Sequence, residues 1–418
     1  MVIDIGANYG LYTLAIAKKV GQSGLVYAFE PSSATASILS ESVKENGFSQ
    51  IIIEKKALSN ETGEANLSIN ENSELNSLVN RSGLNDLSEK VTVTTLDNCM
   101  ASFGWENIDF VKIDAEGAEE NIINGGLVFL DSNSPIIQYE IKDTSYHFSL
   151  VKKFKSLGYE SYRLVRGLNL LVPYDDNETP DAFLLNLFCC KKDTAKKLSM
   201  RGLLINDPLQ SIESIDHINS MLYKMETSTK AWGNDMLDLP YISFLKNYCE
   251  GFSSINKNLM TVLNLYSISM INESHTNRYF ALKLAFVTIN EICNKSAESL
   301  RLSTLARIAS DLGYRETALQ ALNILFNDIN LTNRVRLDEP FLFPSARFDS
   351  IKLDNFEKQL PNLVVGSILH FIEINGTYSS YFAGKSSLER LNMIKEYGIV
   401  DIEIDRRIDL IKKRFNLF

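Results

Sequence analysis

The first thirty residues constrain this chain more than any other stretch. Val2-Ile3-Asp4-Ile5-Gly6-Ala7-Asn8-Tyr9-Gly10 is a β-branched run feeding a glycine-bearing turn, followed by a helical stretch and a second apolar run ending in Glu30-Pro31. Gly6 and Gly10 carry no Cβ, so a ligand can approach the backbone there. Glu30 stands 20 positions after Gly10, where a carboxylate accepts hydrogen bonds from both hydroxyls of a ribose. This is one half of a nucleotide site.

The glycine spacing is GxxxG and not the GxGxxG of pyrophosphate binding. Asp4, just ahead of the loop, would also repel a diphosphate. Both features count against a nicotinamide-dependent oxidoreductase and favour a cofactor without phosphate. S-adenosylmethionine fits: it offers an adenosine ribose to Glu30 and a cationic sulfonium and ammonium to acidic surroundings.

Short β-branched runs alternate with helical stretches through the first half, the pattern of a parallel sheet covered on both faces. The expected strands are Val2 to Ile5, Leu25 to Phe29, Ile51 to Lys55, Val91 to Thr94, Phe110 to Ile113, Ile136 to Glu140, Tyr159 to Leu164 and Phe183 to Cys189. Leu11, Leu14 and Ala15, followed by Lys18, set the apolar face of an amphipathic helix. Asn60 to Lys90, rich in Asn, Ser and Glu, is read as an irregular or hairpin insertion able to flank a substrate. The last two strands, separated by the turn-rich Pro173 to Pro180, are expected as an antiparallel pair closing the sheet.

Beyond about Lys197 strand patterns give way to long amphipathic periods: Tyr241 to Ile271, Asn277 to Cys293, Ser299 to Asp311, Tyr314 to Phe326 and three further pieces. The division expected is 1–195 for the α/β domain, 196–240 for a linker or helical connection, and 241–418 for an α-helical domain. Residues 299–328, with small residues where helices cross and Gly313 at the turn, read as a tetratricopeptide-like pair or an ordinary helical hairpin. Asp338 to Ser345 is read as an ordered loop packed on the helices.

The 42 Lys and Arg against 52 Asp and Glu leave neither a net basic balance nor a basic stripe, which argues against nucleic acid as a partner. The densest apolar runs, Ala182 to Cys190 and Leu363 to Ile374, fall short of the roughly 18 to 20 residues of a spanning helix. With no signal-peptide pattern at the start, the expectation is a cytoplasmic protein without a transmembrane segment. Cys99, Cys189, Cys190, Cys249 and Cys293 show neither disulfide-framework nor zinc spacing and are read as buried thiols.

Six motifs then line up: DIGANYG at Asp4 to Gly10, YAFEP at Tyr27 to Pro31, KENG at Lys44 to Gly47, KALSN at Lys56 to Asn60, TLD at Thr95 to Asp97 and KIDAEGAE at Lys112 to Glu119. In this order and spacing, residues from about 1 to 193 resemble the FkbM-type methyltransferases. The resemblance implies a Rossmann-like class I methyltransferase fold: a doubly wound, mostly parallel sheet with an antiparallel closing strand, followed here by an all-α domain. It implies S-adenosyl-L-methionine as cofactor and O-methylation of a saccharide, glycoconjugate or natural product.

Position by position, Asp4, Gly6, Ala7, Asn8 and Gly10 match the cofactor loop, Glu30 the ribose-binding acid, and Ala57, Leu58 and Ser59 the segment beside the adenine. Asp114 and Glu116 match the acidic turn facing the methyl-transfer cleft and are, with Glu140, the expected catalytic or substrate-binding carboxylates. Competing structural roles are an N-cap for Asp114, first-turn positions for Glu116 and Glu119, a Lys112–Glu140 ion pair, and helix capping by Asp97. His147 is read as a loop or surface histidine. No obligatory metal is expected, because no third ligand can be placed beside Asp114 and Glu116.

The family normally has residues ahead of the first strand, whereas Met1 is three positions from Asp4. The expectation is a short first strand without a lid. In the leading reading the helical domain aids a homo-oligomer or docks the acceptor or a protein partner; a competing reading keeps cofactor binding at most and makes the helices an interaction or scaffold module.

Overall fold

In the first half the sequence alternates as a doubly wound fold requires: β1 (Val2–Ile5), α1 (Leu11–Val20), β2 (Val26–Phe29), α2 (Ser33–Glu45) and β3 (Ile51–Glu54) follow one another. These coordinates are a computed structural model describing residues 1–70, 73, 76–78, 87–141, 144–176, 180–205, 217–220, 222–223, 257–272, 274–295, 300–351, 353, 355–377 and 384–417. Outside them lie residues 241–256 of one expected helix, most of the 196–240 connection, Cys249, Ser299 and the side chain of His147.

All four residues of β1 and of β2 are buried, as befits parallel strands covered on both faces. The chain continues through β4 (Ala57–Leu58), β5 (Gly63–Ser68), β6 (Ser88–Thr94), α3 (Leu96–Phe103), β7 (Phe110–Ile113), α4 (Glu119–Asn124), α5 (Leu127–Asn133) and β8 (Ile136–Glu140). It closes with α6 (Thr144–Ser156), β9 (Tyr159–Val165), β10 (Leu170–Pro173), β11 (Asn186–Lys191) and α7 (Lys192–Met200). Eight strands form one sheet in the order β10-β9-β11-β8-β7-β1-β2-β3.

Strands β3, β2, β1, β7 and β8 run parallel, and β11 lies antiparallel to both β8 and β9. The expected antiparallel pair is therefore present as β9 and β11, with β11 the reversed strand. The edge strand β10 is a four-residue run that ends at Pro173, where the turn-rich stretch begins, and proline is tolerated at such an edge. From β1 the chain builds outward to β2 and β3, then returns to β7 on the other side. The carboxyl ends of β1 and β7 thus diverge at the reversal of strand order, where doubly wound folds bind ligands.

Helix α1 buries Thr13 and Ala17, while Leu11 is 83% exposed and Ala15 is exposed. The apolar face read from Leu11 and Ala15 is corrected accordingly: Thr13 is drawn inward because its hydroxyl donates to Asp4 Oδ2 at 2.6 Å. The core beneath the sheet is aromatic, with Trp105 packed against Tyr27, Phe29, Phe103 and Phe129. The insertion after β3 is a hairpin: β5 and β6 pair from Gly63↔Val93 to Ser68↔Ser88, and β4 lies parallel to β6.

Chain contacts divide the molecule into two units, the second comprising Val165–Leu170, Pro180–Phe183 and Asp207–Phe418. Its described helices are α8 (Lys257–Ile271), α9 (His275–Lys295), α10 (Arg301–Leu312), α11 (Arg315–Thr332), α12 (Phe356–Asn375), α13 (Ser387–Glu396) and α14 (Ile402–Arg414). Gly313 ends α10 at φ 93°, the left-handed stop that favours glycine. Phe341, Leu342 and Phe343 are buried, and Leu342 exchanges bonds with the Ser303 and Thr304 hydroxyls. The expected ordered loop is thereby fixed to α10. Among the described residues no helix is long and apolar enough to cross a membrane. Cys99, Cys189, Cys190 and Cys293 are free and buried; burial pushes the Cys99 thiol up to about 11.

Candidate functional site

Ile5 ends β1, and the loop turns at once through Gly6 (φ 76°), Asn8 (φ 48°) and Gly10 (φ 89°). The Gly6 and Ala7 amides donate to the Phe29 carbonyl at 3.1 and 3.0 Å, and Asp114 N–H donates to Ile5 at 3.2 Å. A Cβ on Gly6 would overlap the Asp114 carbonyl oxygen. Gly6 is thus required by protein packing as well as by its left-handed backbone. At Gly10 an added Cβ would overlap Leu39, so this glycine seats the loop on α2.

Glu30 leaves the end of β2 and is 6% exposed. Its Oε2 accepts from Asn8 N–H at 2.9 Å and its Oε1 from Ser32 N–H at 3.0 Å. Each oxygen therefore has one backbone donor and retains a second acceptor direction. Burial raises the Glu30 pKa above the ordinary glutamate value, outweighing the two backbone bonds that lower it.

At the end of β7 the acidic turn is held by Glu119, whose Oε1 accepts from Ala115 N–H at 3.0 Å and Gly117 N–H at 3.2 Å. Glu116 sits at φ 53°, an uncommon conformation for a residue with a side chain and one that clusters at functional sites. Helix α4 begins after Ala118, which offers no side-chain cap, so the expected capping role of Asp114 is replaced. Its Oδ2 meets Lys112 Nζ at 3.1 Å, and the same ammonium lies 3.6 Å from Asp4 Oδ1. Burial works against the Lys112 charge, yet Asp4 and Asp114 together raise its pKa. The partners of Lys112 are these two aspartates rather than the expected Glu140.

A cleft of about 290 Å³ opens at these strand ends. Gly6, Ala7, Asn8, Glu30, Ala57 and Leu58 line it, as do Asp114, Glu116 and Glu140. Asp4, Gly10 and Ser59 are not among its walls: Asp4 is 0% exposed and engaged with Thr13 and Lys112. Sequence reading passed over Tyr9, Leu11, Tyr12, Lys56, Ser73 and Asn76, which also line the cleft. The signal for the first three was apolar bulk on the exposed side of a turn and helix. The hairpin insertion supplies Ser73 and Asn76, and Ser73 Oγ donates to Asn8 Oδ1 at 2.9 Å. Asp97, expected to cap its own helix, accepts from Val128 and Phe129 N–H at 3.3 and 2.7 Å and so caps α5; Thr95 caps α3.

One carboxylate oxygen each from Asp114, Glu116 and Glu140 lies within 4.8 Å of the others. Glu140 is thus the third carboxylate that spacing alone could not place. Such a cluster can receive a hydroxyl proton, a cationic group or a hard cation.

Residues 4–161 match the Methyltransferase FkbM domain. They form an FkbM methyltransferase domain. Among solved structures the chain is similar to methyltransferase FkbM from Methylobacillus flagellatus KT, at 18% identity over 45% of this chain and 42% of that one, TM-score 0.30. It is similar to an S-adenosylmethionine-dependent O-methyltransferase from Thermotoga maritima, at 16% identity over 46% and 58%, TM-score 0.25. A third likeness is to M. capricolum TrmK in complex with S-adenosylhomocysteine, at 15% identity over 70% and 90%, TM-score 0.23. The chain therefore spans less than two thirds of the first two structures. No curated protein matches it.

The cofactor of the FkbM methyltransferase domain is S-adenosylmethionine, and the residues present fit it. Glu30 offers two oriented acceptors for a ribose diol. Phe29, Pro31, Ala57 and Leu58 give an apolar wall beside it, and the acidic turn faces the same cleft.

Proposed function

We propose that this chain transfers a methyl group from S-adenosylmethionine to a hydroxyl of a saccharide, glycoconjugate or related natural product. The observation that supports this most directly is that Glu30 and the Asp114, Glu116 and Glu140 carboxylates occupy one cleft at the strand-order reversal. When bound, the cofactor supplies an activated methyl carbon, which bonds to the acceptor oxygen as its bond to sulfur breaks and the electron pair leaves with sulfur.

The protein's contribution is alignment and proton removal. Glu30 and the loop from Gly6 to Asn8 would hold the adenosine end of the cofactor, in the cleft that the carboxylates at the ends of β7 and β8 also line. Holding reactants in line is worth effective molarities of about 10⁵ to 10⁸ M. A neutral hydroxyl is a weak nucleophile, and a carboxylate accepting its proton as the bond forms adds about 10² to 10⁴ in rate. Asp114 and Glu116 take that role, with Glu140 holding the hydroxyl from the neighbouring strand. Lys112 and Glu119 keep the turn in place for them. The reaction is assigned to the cytoplasm, and the helical unit to docking the acceptor, a protein partner or a second copy.

Calorimetric titration with S-adenosylmethionine, with NAD as control ligand, tests the reading. We expect saturable binding of the former alone, weakened in Glu30→Ala by about 1 to 3 kcal/mol, the cost of unsatisfied buried polar groups. A folded wild-type protein that binds no S-adenosylmethionine, or a Glu30→Ala variant that binds it equally well, would overturn the assignment.

A further inference from the structure

Three bulky side chains at the mouth of the cleft are exposed although they line it. Tyr9 is 46% exposed, Leu11 83% and Tyr12 45%, and all three come from the short stretch that ends the cofactor loop and opens α1. Large apolar surface facing a ligand cleft is most economically explained by a ligand that covers it.

Tyr12 can be placed along the cleft. Its ring lies 4.9 Å from Lys112 Nζ, and that ammonium is 3.1 Å from Asp114 Oδ2. The ring therefore stands beside the acidic turn. An aromatic surface next to Asp114, Glu116 and Glu140 presents two kinds of recognition side by side. The ring accepts an apolar face, and the carboxylates accept hydrogen bonds from a polar rim.

We infer that Tyr12, flanked by Leu11 and Tyr9, is the acceptor-side stacking surface and selects a pyranose-like ring that offers a face of C–H groups and an edge of hydroxyls. The inference rests on the methyltransferase reading of the same cleft and adds a specificity-determining residue to it. A protonated amine would also be drawn to an aromatic ring beside carboxylates. Here Lys112 already lies against the Tyr12 ring, so that ring is engaged by one cation before any ligand arrives. What remains open on Tyr12 is exposed ring surface for an apolar face, beside carboxylates that take hydroxyl hydrogens.

The test has two stages on the full chain. Calorimetry first establishes S-adenosylhomocysteine binding by the wild type, Tyr12→Ala and Tyr12→Phe; failure of the wild type to bind refutes the methyltransferase reading itself. Saturation-transfer NMR then scores a panel of methyl glycopyranosides, with an alkyl amine series as comparison, on the product-loaded protein. We expect at least one glycoside to receive saturation on its ring C–H groups, with binding retained in Tyr12→Phe. In Tyr12→Ala its affinity should fall by about tenfold, as loss of an aromatic contact implies, with product affinity unchanged. The inference is overturned if the loaded protein binds no glycoside of the panel, if it prefers the amines, or if Tyr12→Ala binds the glycoside as well as the wild type.

Discussion

Lys112 in β7 and Asp114 just past its end lie two positions apart, and their charged atoms meet at 3.1 Å while the same ammonium reaches 3.6 Å to the fully buried Asp4. The pairing ties the cofactor loop's strand to the acidic turn's strand. Lys112→Met leaves Asp4 buried without its cation, and removing one partner of a buried pair costs about 3 to 5 kcal/mol. Urea denaturation of Lys112→Met, Asp4→Asn and the double variant should show a smaller loss in the double than the sum of the singles. Strict additivity would show that the two are not coupled.

Cofactor affinity should depend on pH through Glu30. Burial raises its pKa, so the protonated form gains population at a higher pH than for an ordinary glutamate. Protonation removes acceptor capacity from an oxygen already serving a backbone N–H. S-adenosylmethionine affinity is therefore expected to fall as pH is lowered, with the decline beginning above the usual glutamate range. Dissociation constants that stay flat as the pH is lowered into the ordinary glutamate range would contradict this.

Asp97 caps a helix other than its own. Asp97→Ala strips acceptors from the Val128 and Phe129 amides and should lower the stability of the α/β unit by about 1 to 2 kcal/mol, as loss of an N-cap does. The folded variant should retain its S-adenosylmethionine affinity, since Asp97 is not in the cleft wall. An unchanged denaturation midpoint would remove this capping role.

In the helical unit Arg307 is 4% exposed and holds Asp349 at 2.8 Å, Asp311 at 3.2 Å and the Phe343 carbonyl at 3.0 Å. Arg307→Met leaves the half-buried Asp311 and Asp349 carboxylates and the Phe343 carbonyl without their donor and should cost about 1 to 3 kcal/mol, seen as earlier loss of helical circular dichroism on heating. Arg307→Met with Asp349→Asn should recover part of it. No recovery would mean that the arginine acts through packing alone.

What could be read from the sequence followed local chemistry. Buried parallel strands are short β-branched runs, so β1, β2, β7 and β8 were visible with their ends. Glu30 and the acidic turn lie directly after strands and could be placed without long-range knowledge. Asp97 shows where that reach ended: a carboxylate one residue into a helix reads as that helix's cap, and only the fold brings the start of α5 to it. Lys112 was seen to need a partner, but choosing Asp4 over Glu140 requires knowing that β1 lies beside β7, with Asp4 opposite Lys112 in register. Leu11 misled the helix reading because apolar spacing does not distinguish a face turned to the core from one exposed at the cleft.

The β5–β6 hairpin has its own ladder from Gly63↔Val93 to Ser68↔Ser88 and its own small core of Ala57, Leu67, Val91 and Val93. Its far end contributes Ser73 and Asn76 to the cleft, whereas Glu30 and the carboxylates are carried by strands of the other sheet. That end is fastened to both strand-end turns: Ser73 Oγ donates to Asn8 Oδ1 at 2.9 Å and Ser77 Oγ to the Glu116 carbonyl at 2.8 Å. A substitution at Ser73 or Ser77 is therefore felt in the cofactor loop or in the acidic turn, and the walls of the cleft answer as one frame rather than as separate pieces.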